Sequence, residues 1–196
     1  ADNVKSVYSD TYTSLVPRMF IGSWHQQTAT QSVSLDGNNT LKNSNFNYVG
    51  IEFGGSEIDA TDMEYLHLDI YPLSSFTINV YPICLNNDGS KNDQLKKPIN
   101  LIANQWNSID IPMSDFVGLN ASRIFQFKFD NGNGETFYLD NLYFYKNGSS
   151  SGISSIETHT QDNHAWYNLQ GQRMNDGAGS LPKGVYIHNG KKILVK

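Results

Sequence analysis

Four short stretches carry side chains that could hold a polyhydroxylated ring. In Phe46-Asn47-Tyr48-Val49-Gly50-Ile51-Glu52-Phe53, the residues Val49, Ile51 and Phe53 form an apolar set. Alternation along a strand then leaves Tyr48, Gly50 and Glu52 on the other face. Tyr48 offers a flat ring, Gly50 a place for close approach and Glu52 an acceptor. In Tyr65–Tyr71, Leu66, Leu68 and Ile70 are set against His67, Asp69 and Tyr71. Gln126 and Lys128 alternate with Phe125, Phe127 and Phe129, and Trp24 stands in a polar loop between Ser23 and His25. Sugars are bound by aromatic faces that stack on pyranose C–H surfaces and by planar amides and carboxylates that pair with hydroxyls. Each candidate has a plainer alternative. The strand residues also fit a solvated sheet face, Gln126 and Lys128 a surface pair, and Trp24 a cap on the core edge.

Other chemistries find less support. A glycosidase needs two carboxylates held about 5–5.5 or 6.5–9.5 Å apart across a cleft. The sequence has no Glu-x-Asp-x-Glu run, and Glu57, Asp59, Asp62 and Glu64 fall in a connection. Glu52 with Asp69, expected on neighbouring strands, is the one carboxylate pair worth testing. His25, His67, His159, His164 and His188 lie in no triad motif, and no Cys/His spacing points to zinc. The net charge of -5 argues against nucleic acid. No run of about 18 apolar residues occurs to span a membrane. Cys84, the single cysteine, reads as a small core hydrophobe.

The elements that must position these residues are short strands. Charged residues make up only 17% and aromatics 12% of the chain, with abundant Gly, Asn, Ser and Thr, as in a turn-rich extracellular β-protein. Strands are predicted at Val4–Tyr8, Ser32–Leu35, Thr40–Lys42, Asn45–Phe53, Tyr65–Tyr71, Phe76–Ile83 and Trp106–Ile111. Asp36-Gly37-Asn38-Asn39 reads as a four-residue hairpin turn, and 86–97 as a long polar loop. Arg123–Lys146 reads as an aromatic hairpin turning at Asn131-Gly132-Asn133-Gly134. About ten strands at regular spacing predict an all-β, antiparallel jelly-roll β-sandwich over residues 1–146. Trp106 reads as structural. Residues 147–157 read as a flexible Gly/Ser linker. Residues 158–196 form a small C-terminal β-unit with strand signals at Trp166–Met174 and Gly184–Lys196, a turn cluster at 175–180, and Trp166 as its packing residue.

The motifs SVYSDTYTS, GNNTLKNSNFNYVGIEF, MEYLHLDIYP, WNSIDIPMSDF and IFQFKFDNGNGETFYLDNLYFYK carry a resemblance over Asn3–Lys146. This span resembles β-sandwich carbohydrate-binding modules of secreted polysaccharide-degrading enzymes from Bacteroidetes, of the broad type of families 4, 9 and 22. The tail, AWYNLQGQRM with LPKGVYIHNGKKILVK, looks like the C-terminal domain that directs proteins to type IX secretion, with Gly184, Tyr186, Lys192 and Lys196 at its characteristic places. The resemblance implies a secreted or cell-surface, monomeric, non-catalytic module. It would bind a plant or algal polysaccharide of β-glucan, xylan or mannan type and be linked to a catalytic domain. An adhesin that binds protein, or a jelly-roll glycosidase, is the alternative. The resemblance also implies a structural calcium between the first and last strands. Asp140 sits in an otherwise apolar strand, which is costly unless it is paired or ligating. Asp10 is its N-terminal partner; two hydrogen-bonded turn carboxylates without an ion are the other reading.

Overall fold

The computed structural model describes residues 3–15, 20–21, 24–35, 37–53, 55–147, 166–168, 173–174, 181–188 and 191–195. The chain forms two compact units, Ala1–Gly148 and Ser149–Lys196. The first contains β1 (Val4–Tyr8), β2 (Phe20–Ile21), β3 (Ala29–Leu35), β4 (Asn38–Glu52), β5 (Tyr65–Pro72), β6 (Phe76–Leu85), β7 (Lys91–Asn92), β8 (Lys97–Leu101), β9 (Asn107–Pro112) and β10 (Ile124–Tyr145). The second contains β11 (Trp166–Tyr167), β12 (Arg173–Met174), β13 (Gly184–His188) and β14 (Lys191–Val195).

Two long strands, β4 and β10, build both layers of the first unit. The first part of β10, to Asp130, lies antiparallel between the end of β4 and β6. Its later part pairs with the start of β4, with β5 and with β1. β8 and β7 extend the first layer beyond β6, and β9 extends the second beyond β5. The two parts of β10 face each other across the core. The rings of Phe127 and Phe144 stack with centroids 5.7 Å apart. In one uninterrupted strand, residues so distant in sequence would lie about 55 Å apart. The architecture is therefore an antiparallel β-sandwich, as expected.

The aromatic segment is not a hairpin. Its Asn-Gly-Asn-Gly stretch turns a corner from one sheet to the other, and its two halves pair with different partners. Asn131 and Gly134 adopt φ of 80° and 97° there, and Asn45 adopts 51° at the matching level of β4. Gly132 presses on Phe46 so closely that a Cβ would overlap its ring and carbonyl. The turn between β3 and β4 is also tighter than expected, since Leu35 already pairs with Asn38. The polar stretch after Asn86 contains β7 and the start of β8 rather than one loop.

The core is aromatic. Phe46, Phe53, Phe127, Phe129, Phe137 and Phe144 are all fully buried, with Val49, Ile51, Leu66, Leu68 and Ile70 among them. Phe46 meets Phe137 edge-on at 4.9 Å, the geometry ring quadrupoles favour. Cys84 is buried in this core, as its setting predicts. In the second unit the sheet order is β12-β11-β13-β14. Trp166 stacks on His188 at 4.4 Å and 9°, consistent with a local packing role. The predicted linker, apart from Asn147, and the turn cluster at 175–180 lie outside the described residues.

Candidate functional site

On the outer face of the first layer, three strands place nine side-chain positions in three rows. Gln126 lies between Glu52 and Ile83, Lys128 between Gly50 and Tyr81, and Asp130 between Tyr48 and Asn79. The Lys128 ammonium sits 3.8 Å from the centre of the Tyr81 ring and 3.4 Å from the Asp130 carboxylate. Asn79 donates to Asp130 at 2.8 Å. Burial and the Asp130 contact push the Tyr81 hydroxyl up to about 12, so Tyr81 stays a neutral ring beneath the lysine.

Trp24 completes this face. Its indole lies directly over Gly50, where any Cβ would overlap the ring carbons. The Tyr48 hydroxyl donates to the Trp24 carbonyl. The Trp24 amide donates to Gln26 Oε1 at 2.7 Å, and His25 turns the chain with a φ of 63°. Behind the loop, Thr28 Oγ1 donates to the Tyr48 carbonyl at 2.7 Å, and the Gln27 amide donates to Asn47 Oδ1 at 2.9 Å. The loop is thus tied to β4, and Trp24 keeps 36% of its surface open. Trp24, Tyr48, Gln126 and Lys128, with Ile83, Lys91 and Asp93, line a cleft of about 230 Å³. This is a pre-formed groove with a flat indole, a tyrosine, an amide, a carboxylate and ammonium groups.

The other three sequence candidates lie elsewhere. His67, Asp69 and Tyr71 face outward from the opposite layer, paired across β5 with Tyr143, Asp140 and Tyr138 of β10. His67 is held on both sides: Nδ1 is 2.7 Å from Asp110 Oδ1 and Nε2 is 3.4 Å from Asp69 Oδ1. Its ring stacks on Tyr143 at 4.6 Å. Burial opposes a charge on His67, but the hydrogen bonds to Asp69 and Asp110 outweigh it and raise its pKa. This arrangement makes His67 part of the sheet's scaffold. Glu52 and Asp69 are not a pair, because β10 separates β4 from β5 and the two carboxylates face outward from different layers.

Periodicity marks the outward residues of β4, β6 and β10, and Tyr81 belongs to that outward set. Lys91 and Asp93 lie in a polar segment with no periodic signal. Trp106, expected to be structural, is 40% exposed and meets Tyr71 edge-on at 5.6 Å. Its position just before β9 conceals that exposure in the sequence. Asp140 is only 5% exposed, and its carboxylate accepts from the Asn141 amide at 2.7 Å. Burial, with Asp10 and Asp69 nearby, raises its pKa despite that bond. Asp10 accepts from the Asn39 amide at 2.7 Å. Among the described residues, no group of three or more His, Cys, Asp or Glu that could hold a metal occurs.

The sequence matches no known protein family and no curated protein. The fold is that of β-sandwich carbohydrate-binding modules. A family 11 module from Clostridium thermocellum, solved with a beta-1,3-1,4-mixed-linked tetrasaccharide, is similar with a TM-score of 0.56 at 18% identity, covering 73% of this chain and 95% of that one. A family 30 module aligns with a TM-score of 0.55 at 12% identity over 74% of this chain and 99% of its own. The family 30 module of a cellulosomal cellulase of Clostridium thermocellum aligns with a TM-score of 0.51 at 13% identity, over 65% and 87%. These neighbours belong to families 11 and 30 rather than to those named from the sequence.

Proposed function

We propose that residues 1–148 are a non-catalytic glycan-binding module and that the cleft at Trp24 is its binding site. The observation that carries this reading is the indole laid over Gly50, beside Tyr48, Gln126 and Lys128. The indole supplies a stacking face, while Gln126, Glu52 and Lys128 pair with ring hydroxyls. The separation of Glu52 from Asp69 onto different layers supports binding without hydrolysis. A β-glucan chain is the ligand class favoured, in line with the mixed-linked tetrasaccharide held by the similar family 11 module. The module would hold a secreted glycoside hydrolase close to its polysaccharide. Gly184, Tyr186 and the closing lysines support reading the tail as a type IX sorting domain of a Bacteroidetes protein.

Electrophoresis through gels containing soluble mixed-linked β-glucan tests the reading. Retardation is expected, with no release of reducing ends on prolonged incubation. Unretarded migration through β-glucan, xylan and mannan gels alike would remove it, and reducing-end release would replace it with a glycosidase.

We also propose a structural calcium between Asp10 and Asp140. The buried Asp140 carboxylate, crowded by Asp10 and Asp69, is the feature that a cation would relieve. With only two acidic ligands, neutral oxygens would complete the shell. Chelator should lower the melting temperature, because a ligand bound only by the native state stabilises it by mass action. An identical melting curve with and without chelator would show that no calcium is bound there.

A further inference from the structure

We infer that the module carries a second glycan-binding site on its opposite layer, with Trp106 as the stacking platform. The proposal rests on the glycan reading of the first face and goes beyond it. Trp106 is exposed and lines a cavity of about 180 Å³ together with Asn38, Asp69, Asp140 and Asn141. Apart from the indole, every wall among the described residues ends in an amide or a carboxylate. Such a cavity suits neither an aliphatic peptide side chain nor an anion, and the calcium ion proposed at Asp140 would engage the carboxylates while leaving the indole face free. A neutral ring rich in hydroxyl donors meets both needs, stacking on the indole while its hydroxyls reach acceptors and amides.

The platform is held in place before any ligand arrives. Asn107, the next residue, locks the turn beneath it: its amide nitrogen donates to the carbonyls of Ile102 at 2.9 Å and Gln105 at 3.0 Å, and its Oδ1 accepts from the Ile102 amide at 2.9 Å. Asn104 adopts a φ of 59° in the same turn, and its amide donates to the Pro72 carbonyl at 2.8 Å. Tyr71 then supports the indole edge-on from β5. Asp69 is oriented as an acceptor by Asn141, which donates to it at 2.8 Å. A fixed aromatic face and fixed polar groups lose little entropy on binding. The two sites lie on opposite outer faces of the sandwich, so one molecule could hold two chains and cross-link a soluble polysaccharide.

Calorimetry of the full chain with a β-1,3-1,4-mixed-linked tetrasaccharide tests this. The expected result is about two equivalents bound per chain. Trp106→Ala should lower the second site's affinity at least about tenfold and leave one equivalent, with an unchanged melting temperature. Trp106→Phe should retain part of that affinity. Tyr48→Ala should remove the other equivalent, and the double variant both. One equivalent in the wild type, lost in Tyr48→Ala and kept in Trp106→Ala, would overturn the second site and leave the first standing. One equivalent lost only in Trp106→Ala would uphold this site and overturn the first. No heat of binding in the wild type would overturn both.

Discussion

Gly50 decides the shape of the candidate cleft, because the Trp24 indole occupies the space a side chain would need. Gly50→Ala should displace the indole and weaken glycan binding about tenfold, ~1.4 kcal/mol. Calorimetry together with the tryptophan emission maximum checks this; unchanged affinity with an unchanged spectrum would show that the indole position is irrelevant. The sequence marks Gly50 as a place of close approach but not what approaches it. Trp24 lies far enough away in the chain that only tertiary structure joins them. His67 poses a different test. Its pKa is raised from 6.5, so its stabilising contribution is complete below that value and fades as pH rises through the folded-state pKa. Burial opposes the charge on Asp69, but hydrogen bonds from His67, Asn141 and Ser108 outweigh it and lower its pKa from 3.8. Its contribution is therefore present above 3.8 and lost as pH falls through the depressed value. The midpoint of urea unfolding should be higher at pH 5.5 than at pH 8 by an amount that His67→Gln removes. An equal difference in the variant would assign the pH dependence to other groups.

At the scale of elements, the corner in β4 and β10 is what makes a sandwich out of long strands. Period-2 alternation predicts which residues point inward along each strand, and the buried phenylalanines follow it. It does not say which sheet a strand belongs to. Asn-Gly-Asn-Gly tolerates positive φ whether the chain reverses or turns a corner, and long-range pairing with β4, β5 and β6 decides between the two. For the same reason the sequence groups His67, Asp69 and Tyr71 with Tyr48 and Glu52, although they face opposite ways. Gly132→Ala should test the corner, since a Cβ there meets the backbone as well as the ring of Phe46. We expect a loss of ~1–3 kcal/mol by denaturant unfolding, in the range of overpacked positions. A loss below about 0.5 kcal/mol would mean that the corner relaxes freely.

For the whole molecule, the core of the first unit is drawn from residues before Lys146. Residues 1–148 expressed alone should therefore unfold in one cooperative transition near that of the same unit in the full chain; an insoluble or unfolded product would show that the tail completes it. This layered architecture leaves two outer faces with aromatic and polar side chains, of which the face at Trp24 is proposed to hold a glycan. Backbone amide NMR of the full chain, titrated with the mixed-linked tetrasaccharide, addresses that face directly. Saturable shifts are expected at Gly50, Gln126 and Lys128 that vanish in Tyr48→Ala, while the amides of the buried β5 residues Leu66 and Leu68 stay still. Saturable binding that leaves Gly50, Gln126 and Lys128 unmoved, or that is undiminished in Tyr48→Ala, would contradict a glycan site at Trp24.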